Sequence, residues 1–238
     1  MDRYVDSNGQ IYGEDNLSYL GQGYNSIVYK NSSYDRDVAV KIFRDSSSIF
    51  SLSEETASII SDLRLYSFPT FYSTLKKCSD GKHSGYVMQF FSVDEDSRVI
   101  DMDSHQLLAS IEDIEHDIKE FSSHDIFMED VKKDNFVVTR DGRLHLIDYD
   151  MFSHYPGFSV EEVEGRNRRR IQALFLDYFH DEVFNDRSFT SDEKRGINQI
   201  LKFYLATDSL YEGLESMFSR YESPRDYFEK IGKEFVKK

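Results

Sequence analysis

Four polar residues carry most of the chemistry legible in this sequence: Asp130, Lys132 and Asn135, close together in the stretch His124–Val138, and Asp148 beyond it. An aspartate so placed can accept a proton from, or orient, an attacking hydroxyl. A lysine two positions on can neutralise charge on a transferred phosphoryl group, and an asparagine amide oxygen suits a hard cation. Asp148 follows two short apolar runs, Phe136–Val138 and Leu144–Ile147, separated by Thr139-Arg140-Asp141-Gly142-Arg143. Asp-Gly between apolar runs is a hairpin signal. Such a hairpin returns Asp148 beside Asn135, where both can hold one Mg²⁺. The other reading is a solvated polar loop.

Two further features suit phosphate. Leu20-Gly21-Gln22-Gly23-Tyr24-Asn25-Ser26 puts two glycines in a strand–turn–strand setting, and glycine lets backbone amides approach phosphate oxygens without a Cβ in the way. By itself the segment also reads as an ordinary hairpin turn. Val38-Ala39-Val40-Lys41 then ends an apolar strand on a lysine that can neutralise phosphates or snorkel to the surface. The two in this order are more specific than either part.

These residues need elements to position them. Leu17–Leu20, Ile27–Lys30, Val38–Phe43 and Gly85–Phe91 read as strands. Ser51–Tyr66 reads as a helix, with Leu52, Glu55, Ile59, Leu63 and Tyr66 on one face and Phe68-Pro69 ending it. Ser104–Phe121 reads as a second helix, striped by Leu107, Leu108, Ile111, Ile114 and Ile118. From about Ser159 the chain looks helical. Thr190-Ser191-Asp192-Glu193 fits a capping box, and Ser223-Pro224 a cap followed by a first-turn proline. Strands with one helix therefore precede helices, with the seam near Gln89–Asp96, and no repeat or Gly/Ser linker divides the chain.

Composition narrows the partners. The 238 residues are 39 % hydrophobic and 15 % aromatic, a globular composition, with a formal net charge of −15. That charge repels phosphate backbones, so nucleic acid is not expected as a partner. One cysteine, Cys78, excludes an intrachain disulfide and a thiolate metal cluster. Neither an apolar signal core at Met1–Tyr4 nor an apolar run of membrane-spanning length is found, so the expected location is the cytoplasm, with delivery by a route without a cleaved signal left open. The basic run Arg166–Arg170 has three readings: it binds an acidic or phosphorylated partner, it holds a segment near the site, or it is a helix face paired with Glu161, Glu162 and Glu164.

From Leu17 to Asp150 the chain resembles the protein-kinase-like superfamily, whose pattern is a glycine-rich loop, a V-A-I-K strand, a helix glutamate, a catalytic loop and a D-F-G turn. The intervals from Asp130 to Asn135 and to Asp148 agree with that pattern. The resemblance implies an α+β, bilobal kinase-like fold in one domain over residues 1–238. A strand-rich N-lobe with one helix would span about 1–91, and a reduced helical C-lobe about 92–238. It implies ATP with Mg²⁺ or Mn²⁺, and a phosphate lid of Gly21, Gly23 and Ser26. Lys41 would contact the α/β-phosphates and pair with Glu55. Met88 would lie behind the adenine and Gln89-Phe90-Phe91 would form the hinge that reads it, with Val28 and Ala39 above the ring and Val137 below. Asp130 would be the catalytic aspartate, with Lys132 beside it, and Asn135 and Asp148 the metal ligands.

The sequence departs from the family pattern at four places. Ser26 replaces the third loop glycine, Met128-Glu129 the usual His-Arg, and Asp148-Tyr149-Asp150 the D-F-G turn; no A-P-E follows. Losing the arginine removes the usual docking point for an activation-loop phosphate, so activity independent of such phosphorylation is implied. Asp150 adds a carboxylate near the metal. Lys132 resembles serine/threonine kinases, and the loop-poor chain resembles bacterial effector or toxin kinases with a protein substrate. Two alternatives stay open. One is a small-molecule kinase like those for aminoglycosides and choline, with Asp94-Glu95-Asp96 as a candidate acidic pocket. The other is a nucleotide-binding pseudokinase that scaffolds a partner.

Overall fold

The computed structural model describes residues 2–32, 36–45, 51–94 and 96–236, so Glu95 of the acidic triplet lies outside the described residues. The chain is α+β. Its sheet is antiparallel and seven-stranded: β1 (Tyr4–Asp6), β2 (Ile11–Tyr12), β3 (Ser18–Gln22), β4 (Ser26–Asn31), β5 (Val38–Phe43), β6 (Phe71–Lys77) and β7 (His83–Gln89), in the order β2-β1-β6-β7-β5-β4-β3.

Strand β5 is buried at every position, between β4 and β7. Alternation along it separates two cores. Val38, Val40 and Ile42 pack with Tyr4, Tyr12, Leu75 and Val87. Ala39 and Phe43 belong to the larger core shared with the helices, and Lys41 falls on their face. Gly85 of β7 has φ +153°, and a Cβ there would lie 2.0 Å from the Lys41 carbonyl oxygen. Only glycine allows that approach, which fixes β5 at the height of Lys41.

Helix α1 is shorter than the Ser51–Tyr66 periodicity indicates. It runs Glu54–Asp62, capped by Ser53, and the chain turns extended at Leu63. Its buried residues are Thr56, Ala57 and Ile60, so its inward face is rotated away from Glu55. The cause of the early stop lies in α2 (Ser104–Ser123), which carries the expected apolar stripe and is capped by Asp103. Asp117 of α2, fully buried, accepts hydrogen bonds from the N–H groups of Tyr66, Ser67 and Phe68 and from the Ser67 hydroxyl. Those amides cannot then continue a helix. Burial still holds the Asp117 carboxyl above the usual carboxylate range, outweighing the bonds it receives. We expect Asp117→Ala to cost about 3 kcal/mol in urea unfolding, because several buried donors lose their acceptor together. A loss within error would mean that this turn is held by packing alone.

The next segment carries β8 (Ile126–Phe127) and the hairpin β9 (Phe136–Val138) and β10 (Leu144–Leu146), then β11 (Ser153–His154), which pairs with β8. Gly142 takes φ +80° in the hairpin turn, as Asp-Gly predicts. Five helices complete the count of six among the described residues: α2, then α3 (Val160–Asn185), α4 (Ser191–Tyr204), α5 (Leu210–Phe218) and α6 (Pro224–Val236). Ser159 with Glu162 and Thr190 with Glu193 form capping boxes on α3 and α4. Ser223 accepts from the Asp226 N–H at the start of α6. Arg225 ties α6 to Asp101 and Asp186, each at 2.6 Å. No helix among the described residues is long and apolar enough to cross a membrane.

Candidate active site

A cleft of about 1020 Å³ opens between the β3–β4 turn and the segment from Glu129 to Met151. Gly21, Gly23, Ser26, Val28, Lys41, Met88, Asp130, Lys132, Asn135 and Asp148 all border it, together with Glu129, Ile147, Asp150 and Arg170. Residues far apart in sequence thus meet around one space.

The glycine turn closes on a hydrogen bond from Gly23 N–H to the Ser26 carbonyl, 2.9 Å. A Cβ at Gly21 would meet nothing within 4 Å, and one at Gly23 only the Ser26 hydroxyl at 3.7 Å. The chain's own packing does not demand either glycine. What they provide is open space over the cleft, with no Cβ between it and the backbone.

Lys41 is 4 % exposed, and burial alone would discharge it. Its Nζ lies 2.7 Å from Asp148 Oδ1 and 2.8 Å from Asp150 Oδ2, and these two charges raise its pKa in spite of burial. Asp150 accepts from the Tyr86 hydroxyl at 3.1 Å, and its own N–H donates to Asp148 Oδ1 at 2.9 Å. Burial pushes the Asp150 carboxyl up to about 6, with Asp148 adding to the rise and Lys41 opposing it. Tyr86 is fully buried, and desolvation beside the two aspartates keeps its phenol protonated.

Glu55 departs from expectation. It is the helix acid expected at Lys41, but its side chain is 75 % exposed and lies 3.1 Å from His154 Nδ1. The rotated inward face of α1 turns it away. Glu54 is likewise engaged elsewhere, 2.7 Å from Lys76.

Asp130 has φ +55°, a left-handed conformation that Asp tolerates better than most residues. This turns its carboxylate to the cleft, 2.5 Å from Lys132 Nζ. Asn135 closes a 3-10 turn over Lys133–Asn135, and its carbonyl accepts from Ile147 N–H at 3.0 Å, which sets it beside Asp148. The Asn135 side chain makes no hydrogen bond among the described residues. No group of three or more His, Cys, Asp or Glu among those residues is poised for a metal. A cation held by Asn135 and Asp148 would meet one amide oxygen and one carboxylate, an all-oxygen set that suits Mg²⁺, an ion that keeps several of its waters.

The expected adenine pocket is only partly assembled. Val28 and Met88 border the cleft, whereas Ala39, Gln89, Phe90, Phe91 and Val137 do not. Ala39 is 5 % exposed, paired with Lys30 and Met88. Val137 pairs with His145 in the hairpin, and Ile147 borders the cleft instead. Gln89, Phe90 and Phe91 line a neighbouring depression with Arg140 and His145, where Phe91 stacks on His145 at 4.1 Å. Phe90 lies under Lys30 Nζ at 4.6 Å.

Three positioning features escaped the sequence reading. The contacts of Asp150 with Lys41 and Tyr86 are one. Asn167, buried inside the basic run, is the second: its side chain accepts from Met128 N–H at 2.8 Å and donates to the Ile126 carbonyl at 2.9 Å, tying α3 to the strand before Asp130. The third is Glu129, 3.6 Å from Arg170. The basic run accordingly divides its roles. Arg168 pairs with Glu164 on the helix face, Arg166 packs over Phe127 and Phe158, and Arg170 reaches the site. The only advance signal for these was the presence of Asp150 and Glu129 where the family has other residues.

The chain matches no protein-family model and no curated protein.

Proposed function

We propose that this chain is an ATP-dependent phosphotransferase of the protein-kinase-like superfamily, bilobal in architecture, that phosphorylates serine or threonine hydroxyls of a protein. The observation that carries this reading is the convergence of Gly21, Gly23, Lys41, Asp130, Lys132, Asn135 and Asp148 on one cleft. Glycine-turn amides and Lys41 would hold the nucleotide phosphates. Asn135 and Asp148 would hold Mg²⁺, which supplies neutralisation of phosphate charge when bound. Asp130 receives the acceptor's hydroxyl proton as the new O–P bond forms; the bond from the γ-phosphorus to the bridging oxygen breaks, and ADP leaves. Lys132 balances the charge on the transferred group.

A protein acceptor is supported by an open groove of about 650 Å³ that shares Lys132, Asp134 and Arg170 with the cleft and continues along α3 past Leu174 and Asp177. Glu129 bound to Arg170 supports activity without activation-loop phosphorylation, since that position carries no arginine for a phosphate to engage. One observation favours a second reading, a nucleotide-binding module without transfer: Lys41 grips both Asp148 and Asp150.

The test is ADP release from ATP and Mg²⁺ with two acceptor sets, a mixture of proteins and a panel of amines and alcohols. Release stimulated by protein is expected. Release only with small acceptors would replace the protein substrate by a small molecule. ATP binding without release in either set would favour the second reading.

A further inference from the structure

We propose that Asp150, and not an acid on α1, is the standing partner that positions Lys41 for the nucleotide phosphates, leaving Asp148 free to take the metal. This rests on the phosphotransferase reading and names a positioning residue within it.

A lysine 4 % exposed needs a counter-charge in every state of the site. Two carboxylates supply it, and they are differently held. Asp148 is 29 % exposed in its side chain and borders Asn135, so a hard cation competes directly with Lys41 for it. Asp150 is 15 % exposed and is fixed by the hydroxyl of fully buried Tyr86. Tyr86 is in turn packed against Phe43 and Phe71, with ring centroids at 5.8 Å and 5.3 Å. When the cation takes Asp148, Lys41 keeps Asp150. The first-turn acids of α1 do not serve in this arrangement: Glu54 holds Lys76 and Glu55 faces His154. The carboxylate added by the Asp148-Tyr149-Asp150 turn and the misdirected helix glutamate are therefore two sides of one substitution. Placing lysine's partner on the chain just after β10 also uncouples Lys41 from any movement of α1.

The experiment compares full-length wild type with Asp150→Asn, Tyr86→Phe and Glu55→Gln, reading ATP binding, KM for ATP and kcat. Lys41 binds phosphates in ground and transition states alike, so its misplacement raises KM more than it lowers kcat. Asp150→Asn is expected to raise KM for ATP about ten-fold or more, the loss of one charged hydrogen bond. Tyr86→Phe should shift KM the same way by less, and Glu55→Gln should leave both constants unchanged. Tyr86→Phe keeps the comparison decisive if Asp150→Asn does not fold. An Asp150→Asn enzyme with unchanged KM, or a Glu55→Gln enzyme with KM raised ten-fold, overturns the proposal and leaves the phosphotransferase reading intact. A wild type that neither binds nor turns over ATP overturns both, and is recognised before any variant is compared.

Discussion

Replacing Asp148 by asparagine should lower Mg²⁺-dependent phosphoryl transfer by about 10³-fold or more, with the fold intact. The asparagine keeps an oxygen where Oδ1 now accepts from Lys41 and the Asp150 N–H, so the local hydrogen bonds survive. Lys41 also retains Asp150 at 2.8 Å, and no buried charge is left alone. What is lost is the full negative charge of Asp148 in the cleft it shares with Asn135. Thermal unfolding should therefore change little while labelled transfer collapses. Wild-type rates in this variant would remove Asp148 from the metal site.

Asp130→Asn should lower kcat by about 10³-fold while ATP binding survives. Asparagine is among the few residues that accept φ near +55°, so the backbone that aims this side chain is preserved. The Lys132 ion pair it breaks is exposed and worth under about 1 kcal/mol. The amide cannot take the hydroxyl proton, and turnover suffers for that reason alone. Kinetics of transfer with titration of ATP binding checks both halves. A variant that fails to bind ATP would contradict the role given to Asp130, because that side chain is assigned to the acceptor and not to the nucleotide.

The site's local parts were readable in advance because they depend on short-range rules. Strand β5 coincides with its β-branched run. The β9–β10 hairpin follows from Asp141-Gly142, the α4 and α6 caps from Thr190 and Ser223, and for α3 the helical start near Ser159. Long-range partners were not readable. The end of α1 is set by Asp117, whose bond to Ser67 joins positions 50 apart in sequence. The direction of Glu55 changes with a small rotation of a nine-residue helix, which periodicity over so short a span does not fix. The two-residue strands β8 and β11 are too short to have a period at all. Asp150 was legible as an extra carboxylate two residues after Asp148. Its grip on Lys41 needed the approach of β5 and β7 that Gly85 permits.

The most direct measurement is transfer of label from γ-labelled ATP to a protein mixture by the full chain in Mg²⁺, with the labelled amino acid identified. Label on serine or threonine, absent without Mg²⁺ and absent with Asp148→Asn, is the result expected of this cleft. ATP bound by the wild type with no label on any acceptor, with or without Mg²⁺, would contradict the claim that the cleft transfers a phosphoryl group.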